Sequence, residues 1–122
     1  MALVLIVDDS PTEVHVMQAL LKKKGFETAV AQDGTDGIAK AVELKPDVIL
    51  MDVVMPGVNG FQATRKLSKN PETSEIPVII VTTKGQETDK IWGMRQGAVD
   101  YLVKPVNEAT LVDKVKSVLD RD

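Results

Sequence analysis

Short apolar runs alternate with amphipathic stretches about five times along this chain, and that alternation limits the fold more than any other feature. Strand-then-helix repetition is the pattern of a parallel sheet with right-handed crossovers and helices on both faces. The predicted strands are Leu3–Val7, Glu27–Ala31, Val48–Met51, Ile76–Val81 and Asp100–Val103. Val48–Met51 is apolar on both faces, as a strand covered from both sides requires. Ser10-Pro11 pairs an N-cap with a proline at the first helical position. Val14, Met17, Leu20 and Leu21 then form a stripe at helical spacing that Gly25 stops. The second helix is expected from Thr35 to Leu44, between the Asp33-Gly34 turn and Pro46. A long loop, Val54–Gly60, leads to a third helix marked by Phe61, Thr64 and Leu67 and broken at Asn70-Pro71. The fourth covers Gln86–Gln96 and ends at Gly97, with Trp92 expected to pack or, alternatively, to report a surface change or take part in a contact. The fifth is capped by Asn107 and buries Leu111, Val115, Val118 and Leu119. The fold class that follows is α/β, a doubly wound five-stranded parallel sheet in the flavodoxin-like order 2-1-3-4-5, with five helices on both faces.

Composition narrows the function. At 122 residues the chain suits one domain with a real core, and 43% hydrophobic with 27% charged residues describes a globular protein. A formal net charge of −3 argues against direct nucleic-acid binding. With no cysteine, disulfide and thiol chemistry are ruled out for this chain. The start of the chain lacks the basic and long apolar regions of a signal peptide, and no apolar run approaches membrane-spanning length. The expectation is a cytoplasmic protein without membrane insertion.

Four of the strands run into polar residues: Asp8-Asp9 after the first, Asp52 after the third, Thr82 after the fourth, and Lys104-Pro105 after the fifth. Ligands bind an open parallel sheet outside the carboxyl ends of its strands, so these groups are expected to converge. Three clustered carboxylates repel one another, at a cost of roughly 4 kcal/mol per pair at 4 Å and an effective dielectric near 20. A cation must compensate. Mg²⁺ (or Mn²⁺) suits an all-oxygen site that also meets a phosphoryl group. No calcium-binding loop pattern is present. Lys104 supplies a point charge for a carboxylate or phosphoryl oxygen, and Thr82 a hydroxyl donor. The Lys104-Pro105 bond is a candidate for the cis isomer. The combination points to Asp52 as a nucleophile that forms an aspartyl phosphate.

Ile6-Val7-Asp8-Asp9-Ser10, Leu50-Met51-Asp52 through Gly60, Val81-Thr82-Thr83 and Tyr101-Leu102-Val103-Lys104-Pro105 occur in that order. In these motifs, across essentially its whole length, the chain resembles the receiver domain of two-component response regulators. The resemblance implies one receiver domain over residues 1–122, with no output domain. It implies Asp52 as phosphoacceptor, and Asp8, Asp9, Asp52 and the Val54 backbone carbonyl as metal ligands, with Asp9 a direct one. Thr82 and Lys104 match the residues that bind phosphoryl oxygens, and Tyr101 matches the aromatic switch position. The implied donor is a phosphohistidine on a sensor histidine kinase or phosphotransfer domain. The implied output is an unknown downstream protein on the surface of the fourth helix, fifth strand and last helix. Thr83 stands where the family often has a smaller residue, and Val54 and Lys84 stand where the family tunes dephosphorylation. The stretches Pro71–Pro77 and Thr82–Lys90 resemble the PilH type of regulator, which acts in type IV pilus twitching motility.

The expected protein is therefore a phosphoacceptor regulator and not an enzyme beyond weak Mg-dependent self-phosphorylation and autophosphatase activity. A phosphate sink for a shared kinase and an unphosphorylated interaction module are the alternatives. Haloacid-dehalogenase-like phosphatases place an aspartate two residues after the nucleophile, where this chain has Val54. Neither phosphate-loop signature for nucleotides occurs. His15, the single histidine, is expected on a helix face away from the site.

Overall fold

The computed structural model describes residues 2–120. In chain order the elements are β1 (Leu3–Val7), α1 (Pro11–Lys23), β2 (Glu27–Ala31), α2 (Gly34–Leu44), β3 (Val48–Met51), α3 (Gly60–Lys69), β4 (Val78–Thr82), α4 (Glu87–Arg95), β5 (Asp100–Val103) and α5 (Glu108–Leu119). Among the described residues the strands form one parallel sheet in the order β2-β1-β3-β4-β5. The expected fold class and strand order are both observed.

Strand alternation divides the core in two. Val4 and Ile6 of β1 face one side of the sheet, with Val14, Met17 and Leu21 of α1 and Leu111, Val115 and Val118 of α5. Leu5 and Val7 face the other side, with Ala41 of α2 and Ala63 and Leu67 of α3. A smaller cluster of Val53, Ile80 and Ala98 lies beneath Phe61 and Tyr101. Every residue of β3 and β4 is buried, so both strands are apolar on both faces except where Thr82 ends the run.

Helix starts follow capping chemistry. Ser10 and Asn107 cap α1 and α5 as expected. Asp33 also caps, accepting from the Asp36 amide at 2.8 Å, so α2 begins at Gly34 instead of Thr35. Asn59 and Gln62 form a reciprocal capping box, which starts α3 at Gly60, one residue before Phe61. The fourth strand is shifted relative to the sequence reading. Ile76 closes a turn onto the Thr73 carbonyl, and the ladder runs on through Thr82, whose carbonyl accepts from Lys104. The Lys104-Pro105 bond is cis. Trp92 does not pack as expected; it is 51% exposed, because α4 turns only Gly93 of its described residues into the core.

Gly60 sets how closely α3 approaches the end of β3. A Cβ there would lie 1.9 Å from the Asp52 carbonyl oxygen, and the Gly60 amide donates to the Val53 carbonyl. Gly57, at φ +73°, has open space around it and needs glycine only for its backbone conformation. Gly60→Ala should therefore cost about 3 kcal/mol or more, against about 1–2 kcal/mol for Gly57→Ala. Urea unfolding midpoints of the two variants check this; equal losses would contradict the close-approach role of Gly60.

Candidate functional site

The sheet ladder extends one residue past three strands and carries the polar groups with it. The Asp8 amide donates to the Ala31 carbonyl at 3.0 Å, that of Asp52 to Val7 at 2.9 Å, and that of Lys104 to Thr82 at 2.8 Å. Asp8, Asp52 and Lys104 are thus held by backbone hydrogen bonds at one edge of the sheet. Asp9 follows Asp8 and is exposed, whereas Asp8 and Asp52 are buried.

The expected convergence is observed. Asp8, Asp9 and Asp52 each place a carboxylate oxygen within 4.8 Å of the others. The Lys104 side chain is only 7% exposed, and its Nζ lies 2.8 Å from Asp8 Oδ2 and 3.7 Å from Asp52 Oδ2. Asp52 Oδ1 accepts from the Val53 amide at 2.8 Å, which leaves Oδ2 turned toward Lys104. Asp8 Oδ1 accepts from the Ser10 amide at 2.9 Å. Thr82 is fully buried, and its Oγ1 accepts from the Lys84 amide at 3.4 Å. Val54 lies in the loop after β3 with its side chain exposed. Tyr101 sits over α4 at Gly93, and its hydroxyl donates to the Lys84 carbonyl at 2.6 Å.

One feature goes beyond the sequence reading. Lys104 Nζ has a further partner, Glu13 Oε2, at 2.6 Å. Its signal was Ser10-Pro11-Thr12-Glu13, a spacing that reads first as a helix cap. His15 is exposed and lines a cleft of about 450 Å³ with Asp8 and Asp9 that takes in neither Asp52, Thr82 nor Lys104. It stays outside the carboxylate cluster.

Electrostatics follow from this crowding. Burial pushes Asp52 above the usual carboxylate value and the Asp8 charge adds to the rise; Lys104, the Val53 amide and the Thr82 hydroxyl offset it only in part. Burial works to lower Lys104, but its hydrogen bonds to Asp8 and Glu13 and the charges of Asp52 and Asp8 outweigh it. The ammonium is held above the ordinary lysine value. Burial, with the charges of Asp89 and Asp52, pushes Tyr101 up to about 12. The carboxylates of Asp8, Asp9, Glu13 and Asp52 outnumber the enclosed Lys104 ammonium and leave negative charge in excess, and the all-oxygen donor set of the three aspartates fits a hard divalent cation such as Mg²⁺.

Asp52 binds its proton more tightly in the folded than in the unfolded chain, so its ionisation costs stability as pH rises through the acid range. That cost grows as pH rises through the ordinary carboxylate range and is complete once pH exceeds the elevated folded value. In divalent-free buffer Asp52→Asn should raise Tm at pH 7. The gain should vanish as pH falls through the elevated pKa to below the ordinary carboxylate range. Thermal unfolding across pH checks this, and a lowered Tm at pH 7 would contradict it.

Residues 4–116 match the response regulator receiver domain family. Over 119 residues the chain is 63% identical to Protein PilH of Pseudomonas aeruginosa, covering 98% of each. The solved chemotaxis protein CheY4 of Vibrio cholerae is similar at TM-score 0.91 and 35% identity, covering 98% of this chain and 99% of that one. The receiver domain of a Pseudomonas aeruginosa sensor histidine kinase, solved with a magnesium ion coordinated in its active-site cleft, is similar at TM-score 0.91 and 28% identity, covering 98% of both. Because the matched stretch runs from β1 into α5 and takes in every residue of the acidic cluster and its lysine, the chain belongs to the response regulator receiver domain family.

Proposed function

We propose that this chain is a phosphorylation-dependent signalling switch whose phosphoacceptor is Asp52. The observation that carries the reading is the placement of Lys104 beside a carboxylate oxygen of Asp52, with two further carboxylates alongside. An enclosed ammonium is positioned to balance the charge that a phosphoryl group brings, and such preorganised charge is the main catalytic resource in phosphoryl transfer.

In this reading the Asp52 carboxylate attacks the phosphorus of a phosphohistidine on a sensor kinase or phosphotransfer domain. The P–O bond forms as the P–N bond breaks, and the imidazole leaves. Lys104 and Thr82 hold phosphoryl oxygens. Asp8, Asp9, Asp52 and the Val54 carbonyl would hold Mg²⁺ or Mn²⁺. When bound, that ion neutralises charge on the phosphoryl oxygens. The receiver domain works in the cytoplasm, with weak self-phosphorylation from small donors and weak autophosphatase activity.

The output runs through Thr82 and Tyr101. Engagement of Thr82 by the phosphoryl group frees space for the Tyr101 ring to turn inward and releases its bond to the Lys84 carbonyl. The surface made by α4, β5 and α5 then changes, and a downstream protein reads it. Ile91, Trp92, Met94 and Val103 are exposed there. New charge acts on such a surface only through its different affinity for the two arrangements. The 63% identity to PilH, with almost complete coverage of both chains, supports a place in type IV pilus twitching motility or a related chemosensory pathway.

Acetyl phosphate with Mg²⁺ should add the mass of one phosphoryl group, located at Asp52 by peptide mapping, and Asp52→Ala should abolish it. Labelling that persists in Asp52→Ala would sink the assignment. Lys104→Ala should still accept phosphate but lose the change in Trp92 fluorescence that labelling produces. An unchanged fluorescence response in that variant would remove Lys104 as the coupling group.

A further inference from the structure

We infer that Glu13 is a positioning residue that holds Lys104 away from Asp52 until a phosphoryl group displaces it; this rests on Asp52 being the phosphoacceptor. Ser10 and Glu13 have the spacing of a capping box, in which the serine hydroxyl accepts from the glutamate amide and the glutamate reaches back to the serine amide. Half of that box is present: Ser10 Oγ accepts from the Glu13 amide at 3.4 Å. The other half is not, because the Ser10 amide donates instead to Asp8 Oδ1. Asp8 thereby frees the Glu13 carboxylate, which turns to Lys104.

The resulting contact, at 2.6 Å, is shorter than that to Asp8 at 2.8 Å and far shorter than that to Asp52 at 3.7 Å. An ammonium has three N–H donors, and Asp8 and Glu13 occupy two. The two carboxylates differ in how readily they let go. Asp8 has a 1% exposed side chain and cannot move into water. Glu13 has a 42% exposed side chain and can exchange the lysine for solvent at small cost. Glu13, Met17, Val81 and Lys104 flank an apolar cleft of about 190 Å³, so the lysine chain is not packed tightly on that side. Phosphorylation then exchanges one anionic partner of Lys104 for another: the carboxylate of Glu13 leaves and a phosphoryl oxygen takes its donor.

The test measures acetyl phosphate labelling rates at Asp52 for the parent, Glu13→Gln and Glu13→Asp, each with Lys104 and with Lys104→Ala. Glu13→Gln removes the charge, and Glu13→Asp keeps the charge but shortens the reach. Both should label about threefold faster than the parent, the scale of a partly exposed ion pair. Neither should change the rate when Lys104 is alanine. Rates equal to the parent, acceleration by Glu13→Gln alone, or acceleration that survives Lys104→Ala would each overturn the inference. A parent left unlabelled at Asp52 would instead overturn the phosphoacceptor reading, and the role of Glu13 with it.

Discussion

Among the described residues, the Lys104 ammonium, nearly enclosed by protein, is the one cation set against the carboxylates of Asp8, Glu13 and Asp52, and the site depends on that imbalance. Ionised groups taken out of water require partners, and a buried pair that loses one partner is strongly destabilised. Here the partners are too few for the charge. Asp52 is held above its ordinary value by burial and by Asp8, even with an ammonium in reach. A site left short of positive charge favours what supplies it, and a hard divalent cation with oxygen ligands does so. The same shortage makes Lys104 the natural centre of any change in charge at Asp52.

The fold's part is to hold this imbalance in place. Backbone hydrogen bonds prolong the ladder beyond β1, β3 and β5, so Asp8, Asp52 and Lys104 begin from positions as rigid as the sheet itself. Gly60 lets α3 press against the Asp52 carbonyl, and the Asn59–Gln62 box fixes where that helix begins. Around α4 the construction is looser. Gly93 alone of the described residues of α4 is buried, and it meets Ile80 and the Tyr101 ring where a side chain would collide. An element with so little burial belongs to the low-stability end of a structure.

Much of this was legible along the chain, and the reasons are local. Two-sided apolar runs mark buried parallel strands over a few residues, and Ser10 and Asn107 carry their capping chemistry in their own side chains. Asp8, Asp52 and Lys104 were readable because each directly follows a strand, and every strand end of a parallel sheet points the same way. The shifted start of β4 has a local cause, the turn that Ile76 closes onto Thr73. The exposure of Trp92 is not legible in this way, because the residue type does not say whether a short helix buries one face or only a glycine.

The amino-acid sequence determined the fold class, the strand order and the identities of the groups at the sheet's carboxyl edge. Periodicity, caps and strand ends are properties of neighbouring residues, and those survive in a linear reading. Tertiary structure alone decided that Glu13 leaves its cap to meet Lys104, that His15 opens onto the Asp8–Asp9 cleft, and that Tyr101 reaches the Lys84 carbonyl. Lys104 is 91 residues from Glu13 and 96 from Asp8 along the chain. Which of these carboxylates an ammonium chooses depends on distances and on access to water that exist only once the sheet has brought its first and last strand ends to one edge.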